Sequence, residues 1–356
     1  MLVDDGFPDD AVELRRTYGL CVRADDQPAK QKSGQRKTFH ARIPNECLRT
    51  QLVARPPGLP LAEPIIFLSV TRIVSFLPAG TEIVHALGAG AELVGRSHEC
   101  DYPEYVRALP VVSKPTIALD GLNQAEIDAA VSGRLAAGES LYVVDELLLR
   151  ELAPDVILTQ DLCQVCAPSG NELTRALKSL PSNPAVVYLT PRTLAEIDDN
   201  IIAVGEAIGR GPQARALVAN LRDRLEQLRA STRNTSRRPR VAFLEWTDPL
   251  FCGGHWVPEM IEIAGGEDRL GRPGADSVRM SWDDVHAWAP EIVIVAPCGY
   301  HLAEAERMAR DLPPIPGARV VPVDANAYFA RPGPRYIEGI ELLAKIFAGE
   351  PASAAA

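Results

Sequence analysis

From Thr71 onward the chain alternates short apolar strand-type runs with helical stripes, and the alternation breaks only once. Leu194, Ile197, Ile201, Val204 and Ile208 keep helical spacing. Gly209–Pro212 interrupts the stripe, and Leu217, Leu221, Leu225 and Leu228 resume it. No strand run occurs for about forty residues there. Strand–helix alternation implies parallel sheets covered by helices on both faces. Two such halves separated by a long helix, or a bent pair, imply two α/β lobes with a cleft between them.

In the first half, strands are expected at Arg72–Phe76, Glu92–Arg96, Asp155–Thr159 and Ala185–Leu189. Helices are expected at Ala79–Leu87, with Pro78 in the first turn, at Gln124–Ala137, at Tyr142–Leu152, and from Ser169 through Leu180. In the second half, strands are expected at Val241–Trp246, Ile292–Ala296 and Arg319–Val323. Helices there are Val257–Ala264, closed by Gly265–Gly266, Trp282–Trp288, Leu302–Leu312 and Pro334–Phe347. The expected organisation is a disordered extension over 1–70, an N-terminal lobe over 71–192, a bridging helix over 193–232, a C-terminal lobe over 238–350 and a tail over 351–356.

Five of the seven cysteines, Cys100, Cys163, Cys166, Cys252 and Cys298, lie just past predicted strand ends. His98, His255 and His301 share those loops. Ligands of open α/β sheets bind outside the carboxyl ends of the strands, so these side chains are candidates for a site. Cys163 and Cys166 have the spacing by which two thiolates on a tight turn reach one ion. Cys252 with His255, and Cys298 with His301, are further pairs. Zinc or an iron–sulfur cluster is one reading of this set. Burial of the cysteines as small hydrophobes is the other. A third is that His98 or His255 ligates the metal of a bound chelate. His85, inside a helix, reads as structural, and the pairs Asp198–Asp199 and Asp283–Asp284 read as solvated or capping.

Net charge is −10, from 47 acidic and 37 basic residues. That argues against a general nucleic-acid surface, which needs a basic patch. No run of about 18 apolar residues exists, so no membrane insertion is expected. The first residues, MLVDDGFPDDAVELRR, are acidic and lack the apolar core of a secretory leader. The run PIIFLSV is too brief to serve as one. These features lead to an expectation of a cytoplasmic location. The sequence has no phosphate-binding G-x-x-x-x-G-K-[ST] loop, no G-x-G-x-x-G after a strand and no G-x-S-x-G elbow. No enzymatic activity is expected.

Five phrases, in order, resemble the class III periplasmic binding proteins, in particular the cobalamin-binding members that feed ABC importers. They are RIVSFLPAGTEIVHALGAG (Arg72–Gly90), HECDYPEYVRALPVVS (His98–Ser113), ELAPDVILT (Glu151–Thr159), IEIAGGEDRL (Ile261–Leu270) and YFARPGPRYIEGIELLAKI (Tyr328–Ile346). The resemblance spans about Thr71 to Gly349. It implies two Rossmann-like lobes joined by one long helix, with a corrinoid, haem or ferric chelate held between them. It also implies a monomer and an ABC-type permease as partner, docked through an acidic residue on each lobe. Glu146 and Glu262 lie on the corresponding helices, and ordinary solvated glutamates are the other reading of both.

By position, Tyr102 falls in the loop that contacts the corrin, and Trp246 just after the second lobe's first strand. Tyr328, Phe329 and Arg331 fall in the last loop. Pro78, His98, His255 and Trp256 complete the candidate ligand-binding set. Aromatic faces with a few polar anchors suit a flat macrocycle, and an arginine can pair with its peripheral amides or carboxylates. The expected function is binding of a cobalamin-like or other metal-chelate ligand. The alternative is a cytosolic metal or iron–sulfur protein that uses the cleft Cys and His residues.

Overall fold

A computed structural model describes residues 71–119, 121–160, 171–178, 180–233 and 237–350. The expectations for 1–70, for the tail after Glu350 and for Cys163, Cys166 and Ser169 lie outside the described residues. Both lobes belong to one unit, Phe67–Ala356.

The N-terminal lobe opens with β1 (Ile73–Ser75), whose three residues are all buried. Such a run suits a strand flanked on both sides and covered on both faces. The helix α1 (Pro78–Ala86) follows, with proline in its first turn. Next come β2 (Leu93–Ser97), β3 (Val111–Pro115), α2 (Gln124–Ala136), β4 (Tyr142–Val144) and α3 (Glu146–Leu152). The lobe ends with β5 (Val156–Thr159), α4 (Asn171–Lys178) and β6 (Ala185–Tyr188). The sheet order is β4-β3-β2-β1-β5-β6. All pairings are parallel except β3 with β4.

The helix expected over Tyr142–Leu152 therefore divides. Tyr142–Val144 pairs as an antiparallel edge strand, and Asp145 then caps α3 by accepting from the Leu148 N–H. Two consecutive β-branched residues after an aromatic favour the strand, while the helical spacing begins only at Glu146.

The expected bridging helix is two helices. The first is α5 (Leu194–Ala207) and the second α6 (Gly211–Thr232). They pack closely side by side: a Cβ built on Gly205 would lie 2.3 Å from the Ala214 Cβ. The bridge itself is α6, whose 22 residues reach about 33 Å. At its start Arg210 pairs with Glu92 of the first lobe at 2.6 Å. At its end the Thr232 hydroxyl donates to the Ile263 carbonyl of the second lobe at 2.8 Å.

The C-terminal lobe contains β7 (Val241–Thr247), β8 (Leu250–Cys252), α7 (Val257–Ile263), β9 (Val278–Arg279) and α8 (Trp282–Trp288). It continues with β10 (Ile292–Val295), α9 (Leu302–Asp311), β11 (Arg319–Pro322), α10 (Ala325–Tyr328) and α11 (Tyr336–Phe347). The sheet order is β11-β10-β7-β8-β9. β7, β10 and β11 are parallel, whereas β8 and β9 add antiparallel. The β7–β8 hairpin, absent from the sequence reading, projects Thr247 and Asp248 toward the first lobe.

One apolar core runs through both lobes. It joins α1, α5, α6, α7 and α11, with Ile83, Ile197, Ile201, Leu221, Ile261 and Ile340 all nearly inaccessible. Separate clusters fill the other face of each sheet. Because the bridging helices belong to the shared core, hinge bending has to disturb close packing, which proteins resist.

Candidate functional site

The strand ends of the two sheets face each other across a seam, and side chains close that seam in two ways. On one side it is closed by charge. Glu82, on α1, is 3 % exposed. Its carboxylate accepts from the Arg335 Nε at 2.8 Å and from an Arg335 terminal nitrogen at 2.6 Å. Arg331, 7 % exposed, donates to Asp101 at 2.6 Å, to Glu82 at 3.4 Å and to the Glu99 carbonyl at 3.1 Å. His301 stands beside them. Its Nε2 is 2.9 Å from Asp101 in the opposite lobe, and its Nδ1 is 3.0 Å from Asp324 in its own.

These contacts set the charge states. Burial alone would lift the Asp101 carboxyl, but the hydrogen bonds and charges of Arg331 and His301 hold it below the usual range. For His301 burial pulls downward, yet the two carboxylates outweigh it and raise the imidazole above its ordinary value.

On the other side the seam holds a cavity of about 520 Å³. The first lobe contributes Leu122, Asn123 and Gln124, at the start of α2. The second contributes the Thr247–Asp248 turn, Trp282, Tyr300 and one face of α9. Gln124 fastens the turn: its Oε1 accepts from the Thr247 N–H at 3.0 Å, from the Thr247 hydroxyl, and from the Asp248 N–H at 3.2 Å. Arg279 reaches across to Asp128 at 2.9 Å. Trp246 lies against Tyr300, with ring centroids 5.8 Å apart.

The predicted site residues separate into three groups. Trp246 and Tyr102 lie at the seam. Tyr102 is 41 % exposed, and the Arg335 guanidinium covers its ring at 3.9 Å. Pro78 is partly exposed on α1, and Tyr328 is half-buried. His98 is partly buried, with its Nε2 3.2 Å from Glu99 and its Nδ1 unpartnered.

A second group belongs to the interior. Trp256 donates its indole N–H to the Phe329 carbonyl at 2.9 Å. Phe329, 2 % exposed, packs on Phe243 with centroids 5.2 Å apart. Arg331 was expected to offer a cation to a ligand, but it is consumed by carboxylates of the first lobe. His255 pairs with Asp276 at 3.2 Å, and burial, the larger influence, lowers its basicity.

The third group comprises the expected metal ligands. Cys100 is buried and accepts from the Thr81 hydroxyl at 3.1 Å. Burial pushes its thiol up to about 11. Cys252 is buried in the second lobe's own core, and burial pushes its thiol up as well. Thiols held protonated are poor ligands and poor nucleophiles. Cys298 and His301 are exposed. Among the described residues no group of three His, Cys, Asp or Glu side chains is arranged to hold a metal ion. The facing-loop cysteines are thus not brought together there, because Cys100 and Cys252 turn into separate cores.

Several participants were missed in the sequence. Glu82 gave a signal as the one charged residue of the helical run Ala79–Val84, all of which the structure buries. Asp101 and Tyr300 gave none beyond their positions after strands, and Gln124 none beyond its place at the start of a predicted helix. Asp198, read as solvated or capping, is buried and holds Arg222 at 2.7 Å and the Tyr336 hydroxyl at 3.1 Å. It pins α5 to α6 and α11.

Two α/β lobes share one core, with a cavity at the seam between them. The chain belongs to the periplasmic binding protein family, whose profile matches residues 73–313. It is a binding protein of this family and not an enzyme. It is 25 % identical over 282 residues to a vitamin B12-binding protein of Photorhabdus laumondii, covering 78 % of this chain and 88 % of that one.

Among solved structures, it is similar to the periplasmic vitamin B12 binding protein BtuF of Vibrio cholerae. The TM-score is 0.53 at 22 % identity, over 78 % of this chain and 96 % of that one. It is also similar to the periplasmic heme-binding protein RhuT of Roseiflexus sp. RS-1 in apo form. There the TM-score is 0.57 at 20 % identity, over 78 % and 98 %. These findings overturn the expectation of a cytoplasmic location, since the family and both solved relatives are periplasmic. Nothing in these comparisons supports the cytosolic metal-protein alternative.

Proposed function

We propose that this chain binds a corrinoid of the cobalamin type in the seam between its lobes and delivers it to an ABC-type permease. The observation that carries the reading is the cavity at the seam, walled by both lobes and bordered by Trp282 and Tyr300, in a chain whose similarity extends over most of a vitamin B12-binding protein. Aromatic and apolar walls with a few polar groups suit a large, flat, amide-rich molecule. Binding requires parting of the charged seam, because Arg335 covers Tyr102 and Arg331 is held by the first lobe. Glu146 and Glu262 are proposed as docking residues for the permease. Glu262 is exposed, and Glu146 pairs with Arg175 at 2.8 Å.

The test is titration with cobalamin. A ligand that binds the native state raises its stability, by about 2.7 kcal/mol at a hundredfold excess over the dissociation constant. A rise in the melting temperature and a change in the visible spectrum of cobalamin are expected. Stabilisation by haem with none by cobalamin would reassign the ligand.

A further inference from the structure

β3 and β4 lie side by side, with Pro115 opposite Tyr142. Antiparallel strands need only a tight turn to join them. Here the chain instead leaves at Thr116 and returns at Leu141. The exit and the return are tied together. The Thr116 N–H donates to the Leu141 carbonyl at 2.9 Å, and the Thr116 hydroxyl donates to the Ser140 carbonyl at 2.9 Å. The excursion carries α2, and α2 has almost no place in the interior. Of its 13 residues only Gln124 is buried. Among the described residues, none between 117 and 139 belongs to the three apolar clusters.

The excursion is fastened to the opposite lobe instead. Gln124 holds the Thr247–Asp248 turn, and both Asp128 oxygens accept from Arg279, at 2.9 and 3.1 Å. Its other side-chain bonds, Asn123 with Glu126 and Arg134 with Glu139, stay within it. A glycine with left-handed backbone stands on either side of α2, Gly121 at φ 82° and Gly138 at φ 69°. A Cβ at either would meet nothing within 4 Å. Glycine changes φ at little steric cost, and hinges place the motion at a few such positions. Leu122, Asn123 and Gln124 form one wall of the seam cavity.

We infer that residues 121–138 are a lid on the seam cavity, which swings on its two glycines and closes by fastening to the second lobe. The core shared by the lobes opposes bending of the whole molecule. A helix with few buried apolar contacts opens locally without disturbing that core. The lid and the ionic clasp are separate fastenings of one seam.

Hydrogen exchange at single amides, on the full chain without ligand, tests it. The amides of α2 are expected to exchange faster than those of α5 and α6. In Asp128→Ala they are expected to exchange about two- to fivefold faster still, the effect of losing an exposed ion pair. The Thr247 and Asp248 amides are held by Gln124 and not by Asp128, and they are expected to accelerate by the same factor. Acceleration confined to α2 would mean that the helix frays in place, and would overturn the lid. So would protection of α2 equal to that of α5 and α6. Acrylamide quenching of indole fluorescence gives a second readout. It is expected to rise in Asp128→Ala, and to stay level when Trp282→Phe removes the indole that borders the cavity. No rise, or a rise that survives Trp282→Phe, counts against the lid. A stopped-flow arm with cobalamin rests on the corrinoid reading: entry and release are expected to quicken together in Asp128→Ala. If exchange and quenching behave as stated and no cobalamin binds, the proposed ligand is wrong and the lid stands. If cobalamin binds and neither rate moves, entry does not pass the lid and the inference falls.

Discussion

The two sides of the interlobe seam use polar groups in opposite ways. On the Glu82 side every described charge is answered: Arg331 and Arg335 meet Glu82 and Asp101, and His301 meets Asp101 and Asp324. On the Gln124 side one amide bonds the opposite lobe with its oxygen and leaves its nitrogen unanswered. The first side is closed by ion pairs, and the second by hydrogen bonds beside a cavity. Of the residues read from the sequence as ligand contacts, Arg331 belongs to the ionic clasp and none is among those lining the cavity.

Breaking the clasp should produce the largest change in stability. Glu82→Ala leaves two arginines facing the space of one buried carboxylate. Removing one partner of a buried pair costs about 3–5 kcal/mol, so a loss near the lower figure is expected from denaturant midpoints. Arg331 keeps Asp101. If the variant is as stable as the parent, the clasp does not hold the lobes.

The bridge is next. In Gly205→Ala the new methyl meets Ala214 at the contact between α5 and α6. Overpacking costs about 1–3 kcal/mol, readable as a lower melting temperature. Gln124→Ala tests the other side. It leaves the Thr247 and Asp248 N–H groups short of their acceptor, at about 1–3 kcal/mol. It should also weaken corrinoid binding, whereas Glu82→Ala should spare it or improve it by freeing the seam. The reverse pattern would exchange the roles of the two sides.

The smallest expected effect is on pH dependence. The His301 pKa is raised in the closed molecule, so its contribution is fully present below its unfolded value and is lost as pH rises through the folded one. The Asp101 pKa is depressed, so its contribution is present above its unfolded value and is lost as pH falls through the folded one. Closure should be strongest in mildly acidic to neutral solution. His301→Gln should remove the decline on the alkaline side and shrink the one on the acid side, because His301 helps hold the Asp101 carboxyl down. His301 is half exposed, and solvent screening keeps its share small.

Much of the fold was legible in the sequence. The buried parallel strands announce themselves as continuous apolar runs such as Ile292–Val295, and the bridge as a helical stripe without strands. The antiparallel edges β4, β8 and β9 were not legible, because two or three residues carry no period, and β3 was missed because Ser113 and Lys114 break its apolar run. The site was less legible than the fold. Aromatic side chains look alike whether they pack a core, as Trp256 and Phe329 do, or border a cavity, as Tyr300 does. A position just past a strand end does not say which way a side chain turns, and Cys100 and Cys252 turn inward. Arg331 was read as a ligand contact, and its carboxylate partners lie 230 and 249 residues away in sequence, beyond any local pattern.

The most direct measurement is calorimetric titration of the purified protein with cobalamin, using Gln124→Leu and Glu82→Ala in parallel. Saturable binding to the parent protein is expected, weakened in Gln124→Leu and kept in Glu82→Ala. Absence of binding to all three, or equal binding to the parent and Gln124→Leu, would contradict it.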